Sequence, residues 1–184
     1  MKAYALLSAV FGLTACTTAA TGFGETIHSP DVYVKYSIQD ASIFAAAGGP
    51  IEVYGAPQDG ASPEAVAAAI RLPAYLSPNT ALAVEPGQGG YRVALVFAPQ
   101  AGQGGEAVCR GEAKGGQAGA TTKVLAVFCR SETATLGEAR LETSNAFVPG
   151  DPAFQAGMKR LLREIMPLRS PFDQGERGCR RGSC

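Results

Sequence analysis

The stretch 151–167, DPAFQAGMKRLLREIMP, carries the clearest periodic pattern in the chain. Its large apolar residues recur at the spacing of one helix face, while basic residues occupy the other faces. Asp151 and Pro152 suit a first helical turn and Pro167 ends the pattern, so the stretch predicts an amphipathic helix with one apolar side. The residues of that side are Phe154, Met158, Leu161, Leu162 and Ile165.

Upstream of this helix, three apolar runs predict the buried strands of a sheet. Residues 51–54 form a short run that ends in Gly55-Ala56-Pro57, and residues 81–85 and 91–98 lie on either side of a Gly-rich turn. Apolar runs bounded by turn residues are typical of strands. The helix is therefore expected to pack on a sheet.

Two further segments are interpreted as a strand pair. Residues 106–110 and 121–132 are apolar segments joined by 111–120, which is rich in glycine and poor in large apolar residues. This arrangement predicts a hairpin with a mobile tip. Residues 138–143 are expected to add another strand.

The first part of the domain leaves one alternative open. Residues 31–38 alternate apolar and polar side chains as a strand does, whereas residues 43–47 fit either a strand or a short helix. Farther along, Ser62 is placed as the cap of a second helix, with Pro63 in its first turn and Pro73 as its stop.

The order of elements predicts the fold class. A strand, a helix, several antiparallel strands and a final helix point to an α+β domain of two layers, a mainly antiparallel sheet with two helices packed on one face. The chain has 184 residues, which suits one domain, placed at 31–167. Residues 168–184 lack apolar periodicity and are expected to be largely disordered.

The first sixteen residues have the layout of an export signal. Met1-Lys2 is positively charged, residues 3–13 are an apolar run of eleven, and Leu13-Thr14-Ala15-Cys16 follows directly. An apolar run of this length is too short for a permanent transmembrane helix and is typical of a signal peptide.

The four residues Leu13-Thr14-Ala15-Cys16 resemble the lipobox of bacterial lipoproteins. The resemblance implies that residues 1–15 are removed and that Cys16, acylated with palmitate-like chains, becomes the mature N-terminus and anchors the protein in a membrane. Residues 16–30 would then be the lipidated cysteine and its tether. Because Thr17, and not aspartate, follows the cysteine, the resemblance favours the outer membrane, facing the periplasm, over the inner membrane.

A second resemblance covers most of the mature chain. Residues 48–167 resemble small uncharacterised bacterial envelope proteins, and the resemblance implies no activity. It rests on short motifs: Gly48-Gly49-Pro50, Gly55-Ala56-Pro57, Tyr91-Arg92-Val93, Phe97-Ala98-Pro99, Cys129-Arg130, Asp151-Pro152-Ala153-Phe154 and Ile165-Met166-Pro167.

The remaining cysteines are interpreted from the expected compartment, because thiols outside the cytosol form disulfides. Cys109 and Cys129 lie in the two strands of the predicted hairpin, where cross-strand neighbours meet disulfide geometry with little movement, and we expect them to pair. Cys179 and Cys184 lie in the tail, where a small disulfide loop and free thiols are both open.

No metal, cofactor or catalytic residue is predicted. The chain has no C-x-x-C and no G-x-S-x-G, and its single histidine, His28, falls in a predicted loop. Residues 102–107 match the dinucleotide pattern G-x-G-x-x-A, but that pattern needs a following helix, and a strand is predicted there. The match is therefore interpreted as chance.

The even balance of charge argues against nucleic acid as a partner. The chain has 16 basic and 16 acidic residues, whereas nucleic-acid binding needs a concentrated cationic surface. Glu132, Glu138 and Glu142 are interpreted as solvated surface charges that pair with Arg130 and Arg140.

These observations lead to two expectations of function. The preferred one is a membrane-anchored, non-enzymatic interaction or assembly module, in which a strand edge or the helices bind an envelope protein or peptide. The alternative is a small-ligand carrier or enzyme with a pocket between sheet and helices. Such a pocket would be lined by Tyr54, Tyr75 and Phe97, which otherwise belong to the core.

Overall fold

A computed structural model of the chain describes residues 24–76, 81–85 and 90–172. This part of the chain forms six strands and four helices. In chain order they are β1 (Glu25–Val32), α1 (Ile38–Ala46), β2 (Pro50–Tyr54), α2 (Pro63–Ala69), β3 (Ala83–Val84), β4 (Arg92–Phe97), α3 (Gly105–Cys109), β5 (Thr122–Ser131), β6 (Ala134–Thr143) and α4 (Pro152–Ile165).

The six strands form one mixed sheet in the order β1-β6-β5-β4-β2-β3. The pairs β1–β6, β6–β5 and β5–β4 are antiparallel, whereas β2 is parallel to both β4 and β3. The parallel pairing of β2 with β3 requires a crossover, and α2 lies in that connection. The predicted class, an α+β fold with helices packed on a sheet, is confirmed.

Local signals in the sequence explain where the helices begin. Ser37 and Asp40 form a capping box at the start of α1, in which each side chain binds the backbone N–H of the other residue. Ser62 caps α2, and its hydroxyl accepts a hydrogen bond from Ala65 N at 3.3 Å. Pro63 and Pro152 occupy the first turns of α2 and α4.

The main core lies between one face of the sheet and three helices. α1, α2 and α4 all bury their apolar sides against it, so the two predicted helices, α2 and α4, do pack on one face and α1 joins them. The largest side chains in this layer are fully buried: Phe44, Phe97, Phe128, Phe147, Phe154, Ile51, Ile70, Leu72, Leu95, Leu136 and Leu141. They fill the space in which the alternative interpretation placed a ligand pocket.

Two expectations for the first part of the domain are wrong. Residues 25–30 belong to β1, which pairs with β6, so this part of the predicted tether is sheet and His28 lies in a strand. The predicted strand over 31–38 ends at Val32, after which Val34 is 73% exposed and Tyr36 is buried. Residues 43–46 form the end of α1 and Ala47 is its C-cap, so the helix alternative is the correct one there.

The predicted hairpin of 106–110 with 121–132 is also wrong. The first segment is the helix α3, and β5 forms its hairpin with β6 instead. Residues 111–120 are not a mobile tip, since Gly116 N donates to Phe97 O at 2.9 Å and Ala118 N donates to Ala56 O at 2.9 Å. These bonds fasten the segment to the ends of β2 and β4.

Several predictions concern residues outside the described ranges. The signal peptide, Cys16, and the pair Cys179 and Cys184 lie in 1–23 and 173–184, so they remain predictions. At the start of the predicted tail, Ser170 is buried and its hydroxyl accepts a hydrogen bond from Phe172 N at 3.2 Å.

Candidate functional site

The second face of the sheet carries a smaller apolar cluster beneath α3. Side chains of a strand alternate between the two faces, so every second residue of β4 and β5 points away from the main core. α3 covers these side chains and thereby gives the sheet a partial third layer. The buried members are Ala94, Val96, Val108, Cys109, Leu125, Val127 and Cys129.

The predicted disulfide between Cys109 and Cys129 is confirmed, with Cα atoms 5.7 Å apart. The cross-strand position expected for Cys109 is wrong, because the bridge does not join two paired strands. It joins the last residue of α3 to β5, and the cross-strand partners of Cys129 are Arg92 and Thr135. The bridge therefore holds α3 covalently on the second face.

A buried ion pair lies beside the disulfide. Arg92 Nε is 2.9 Å from Glu52 Oε1, and the two side chains are 6% and 5% exposed. The Tyr54 hydroxyl donates to Glu52 Oε2 at 2.9 Å, and the Arg92 guanidinium also donates to the carbonyl of Cys109. Burial, and next the hydrogen bond to Glu52, raise the pKa of Tyr54 to about 12. These contacts tie the end of α3 to the sheet, and Arg92 Nε and Glu52 Oε1 are held together by charge, without a well-aligned hydrogen bond.

The start of α3 corrects the interpretation of the G-x-G-x-x-A match. A helix, not a strand, follows this motif, but its first N–H is already used: Gly105 N donates to Glu138 Oε2 at 2.7 Å. A Cβ at Gly105 would lie 2.3 Å from that oxygen, so only glycine permits the approach. The strand after α3 is antiparallel to β4, unlike that of a dinucleotide-binding unit. The anion position of the motif is filled by the protein's own carboxylate.

An open groove of about 450 Å³ lies where β1, β6 and β5 meet the loop 99–101. We call it the β1 groove. Val124 and Leu141 line it although their side chains belong to the main core, so they contribute backbone. Its other lining residues are His28, Pro99, Gln100, Ala101, Lys123, Arg140 and Glu142.

Basic side chains outnumber acidic ones in the β1 groove. Lys123 Nζ lies 3.3 Å from Glu142 Oε2, and both side chains are well exposed, so this pair is open to competition by a ligand. Arg140 is the cross-strand partner of His28 and donates to the carbonyl of Gln103. An anionic group entering the groove would meet Lys123 and Arg140 on its walls.

On the main-core face, a second polar cluster is closed on itself. Asp40 is 2% exposed and accepts hydrogen bonds from the Tyr91 hydroxyl, at 2.6 Å, and from the Arg130 guanidinium. Burial, the largest single influence, raises the pKa of Asp40, but hydrogen bonds from Arg130, Tyr91 and Ser37 together bring it below its ordinary value. The ionised carboxylate thereby fixes the start of α1 against β4 and β5.

The aromatic residues proposed for a pocket are not brought together. Phe97 is buried in the main core and Tyr54 packs on the second face. Tyr75 donates to the carbonyl of Met166 at 2.5 Å beside the end of α4. The lining suggested for the alternative function, with these three side chains around one pocket, is therefore wrong.

The expected pairing of Glu138 and Glu142 with Arg130 and Arg140 is wrong. Arg130 binds Asp40, Glu142 binds Lys123, and Glu138 accepts from Gly105 N and, at 3.3 Å, from the Tyr33 hydroxyl. Burial, followed by the nearby charge of Glu138, raises the pKa of Tyr33 to about 12.

Sequence reasoning missed the β1 groove and its basic residues. The available signal was alternation: Arg140 and Glu142 sit two apart on β6, and Lys123 is the cross-strand partner of Glu142. That places three charged side chains on one face of a hairpin. The position of His28 beside them follows only from the pairing of β1 with β6.

Two further observations concern the described residues as a whole. Within 24–76, 81–85 and 90–172, no three His, Cys, Asp or Glu side chains are grouped so that they could hold a metal ion. In the same ranges, no helix has the length and apolar character to cross a membrane. No family model, no curated protein and no solved structure matches this chain.

Proposed function

We propose that this chain is a lipid-anchored, non-enzymatic protein of the cell envelope that binds an extended, acidic segment of a partner polypeptide along β1 and in the β1 groove. The observation that carries the proposal is the position of β1. It is an eight-residue strand at the edge of the sheet, and its His28 also lines the groove.

The edge of β1 offers backbone hydrogen bonds to a partner. Within the described part of the chain, β1 pairs with β6 on one side only, and a strand edge of this kind can accept an added strand. Pro30 lacks an N–H, and the register shifts between His28 and Asp31. The regular stretch 25–28 is therefore where a partner would pair.

The β1 groove supplies the side-chain specificity. Lys123 and Arg140 give its walls positive charge, opposed only by Glu142. A carboxylate of the partner would replace Glu142 in the contact with Lys123 and would gain charge-assisted hydrogen bonds. Because Lys123 lies on β5, two strands in from β1, an extended partner that pairs with residues 25–28 would reach the groove with an acidic segment that continues beyond the paired stretch.

The lipobox resemblance supports the anchor. Leu13-Thr14-Ala15-Cys16 follows an apolar run of signal-peptide length, and a multiply acylated cysteine holds a protein stably at a membrane. The disulfide between Cys109 and Cys129 agrees with an oxidising compartment. The outer membrane, with the domain in the periplasm, is the proposed location.

Site-specific photocrosslinking in intact cells tests the binding site. A photoreactive residue placed at Thr26 or His28 is expected to capture a discrete partner, and Lys123→Glu with Arg140→Glu should reduce the captured amount at least tenfold. The matched control places the same residue at Ala65, which is exposed on α2 and far from β1. Equal capture at all three positions, or capture unaffected by the two substitutions, would refute the proposed site.

Mass spectrometry of the protein from the same cells tests the anchor. The expected N-terminal peptide begins with acylated Cys16, and Cys16→Ser should move the protein out of the membrane fraction. A native protein that retains residues 1–15, or that begins with unmodified Cys16 in the soluble fraction, would refute the anchor without affecting the binding-site test.

A further inference from the structure

The charge of the chain is divided unevenly along its length. Residues 152–184 contain seven basic and three acidic residues, whereas residues 1–151 contain nine basic and thirteen acidic. The two parts cancel in the total, so the even balance of the whole chain conceals a basic C-terminal part. A domain with such a charge separation is oriented by a charged surface.

The structure places part of this excess on the outer side of α4. The apolar side of the helix is buried in the main core, and Lys159, Arg160 and Arg163 are exposed on the opposite side. Glu164, at the margin, is half-buried. We call this exposed surface the basic face of α4.

A cavity adjoins the basic face, and two exposed apolar side chains follow the helix in the chain. Leu168 and Phe172, just after the helix, are 54% and 48% exposed. A cavity of about 420 Å³ lies beside the last turn; Arg160 and Arg163 line it together with one acidic residue, Glu164, and with Tyr75, Pro167 and Leu168. Two guanidinium groups at one cavity suit a phosphate group, and adjacent apolar side chains suit the acyl boundary of a bilayer.

The chain enters the sheet next to this face. Glu25, the first residue of β1, has its carboxylate 3.9 Å from the Arg160 guanidinium. Eight residues, 17–24, lie between Cys16 and Glu25, and nine steps of about 3.3–3.6 Å reach at most roughly 30 Å. An anchor at Cys16 would thus hold the basic face of α4 close to the lipid headgroups, where even a weak attraction is effective.

We infer that the basic face of α4 docks on an anionic lipid surface, with headgroup phosphates at Arg160 and Arg163 and with Leu168 and Phe172 at the acyl boundary. The inference rests on the proposed anchor only for bringing this face to the membrane. The contact itself depends on charge complementarity, and it can be tested on a chain that carries no acyl group at Cys16. Docking through α4 leaves the second face of the sheet, including the β1 groove, directed away from the bilayer.

Vesicle binding by the unacylated chain tests the inference. The chain is produced from Thr17 onward, which keeps every described residue, and a single cooperative unfolding transition confirms its fold. Binding is measured to vesicles of equal parts phosphatidylglycerol and phosphatidylcholine and to vesicles of phosphatidylcholine alone. Preference for the anionic vesicles is expected, with loss of binding near 1 M salt, where charges are screened beyond about 3 Å.

Matched charge removals locate the contact. Each basic residue near an anionic surface contributes about fivefold, so Lys159→Gln with Arg163→Gln should weaken binding about thirtyfold. Arg110→Gln with Lys114→Gln removes the same charge from exposed positions near α3, on the other side of the sheet, and should change binding less than threefold. Equal weakening by both pairs, or equal binding to both vesicle types, would overturn the inference.

Two further outcomes separate this inference from the proposed function. If Cys16 is not acylated in cells but the α4 variant still loses vesicle binding, the anchor fails and the docking face stands. If Cys16 is acylated and the vesicles are not bound, or if the chain binds a soluble nucleic acid in preference to them, the docking inference fails and the anchor stands.

Discussion

Arg92 and Glu52 form an ion pair inside the domain, with Nε and Oε1 2.9 Å apart and both side chains about nine-tenths or more shielded from water. The pair joins β4 to β2, and Arg92 also binds the carbonyl of Cys109 at the end of α3. A buried charge is tolerated only while its partner is present, because an isolated charge loses its hydration without compensation. The position of α3 on the second face therefore depends on both Arg92 and Glu52.

Glu52→Leu is expected to reduce the free energy of unfolding by about 3–5 kcal/mol, because it leaves the Arg92 guanidinium buried without its counter-charge. Urea denaturation monitored by circular dichroism measures the loss. The double variant Glu52→Leu with Arg92→Met should lose at least about 2 kcal/mol less than the sum of the two single losses. Strict additivity would show that the ion pair contributes nothing.

Asp40→Asn is expected to destabilise the protein by about 2–3 kcal/mol at neutral pH, because the ionised carboxylate accepts hydrogen bonds from Arg130 and Tyr91. The pKa of Asp40 is lowered in the folded protein from its ordinary 3.8. Its stabilisation is therefore complete above about pH 5 and is lost as the pH falls through the folded-state pKa. Unfolding curves of wild type and Asp40→Asn should converge in acid.

Tyr91→Phe provides the matched control for Asp40. It removes one donor and leaves the charge, so it should cost about 1 kcal/mol and shift the acid transition to higher pH. A difference between wild type and Asp40→Asn that stayed constant down to pH 2 would contradict the assignment.

Cys109→Ala with Cys129→Ala is expected to lower the free energy of unfolding by about 3 kcal/mol, the value expected for closing a loop with a separation of 20 residues. Both sulfur-bearing side chains are fully buried, so native protein should resist a thiol reductant until it unfolds. Urea curves with and without reductant measure the effect. If the reductant lowered the free energy of unfolding of the double variant as much as that of the wild type, other cysteines would be responsible for the loss.

Gly137→Ala is expected to destabilise the protein by about 1–3 kcal/mol, because the new Cβ would lie 2.4 Å from the carbonyl oxygen of Ile165 and push the end of α4 from β6. Gly119→Ala is the control, since a Cβ there has no heavy atom within 4 Å. Thermal unfolding compares the two. Equal melting temperatures would show that α4 does not pack this closely on β6.

The elements predicted correctly are those with a complete local signal. α4 has an apolar face over four turns and a proline at each end, and α2 has Ser62 and Pro63 at its start. The capping box of Ser37 and Asp40 is equally local and marks the start of α1. The apolar alternation from Val32 to Ile38 runs across this cap and favours a strand, so the two local signals conflict and the cap is the correct one.

The remaining elements depend on distant contacts. β1 contains His28 and Pro30 and has no clear alternation, so its strand state comes from pairing with β6. α3 has only five residues, and it forms where Cys109 is bonded to β5 and Gly105 to Glu138. The β1 groove lies between elements from four parts of the chain, and its shape could not be read from any one of them. The disulfide pairing was predicted correctly, although the hairpin assumed for it does not exist.

The pairing of β1 with β6 sets a constraint on the order of folding. Glu25 is the cross-strand partner of Thr143, so the strand made first acquires its neighbour only after more than a hundred further residues have been synthesised. Closing so long a loop slows folding, and until β6 arrives the N-terminal segment has no place in the sheet. In a growing chain, β1 therefore stays without its sheet partner until β6 has been synthesised.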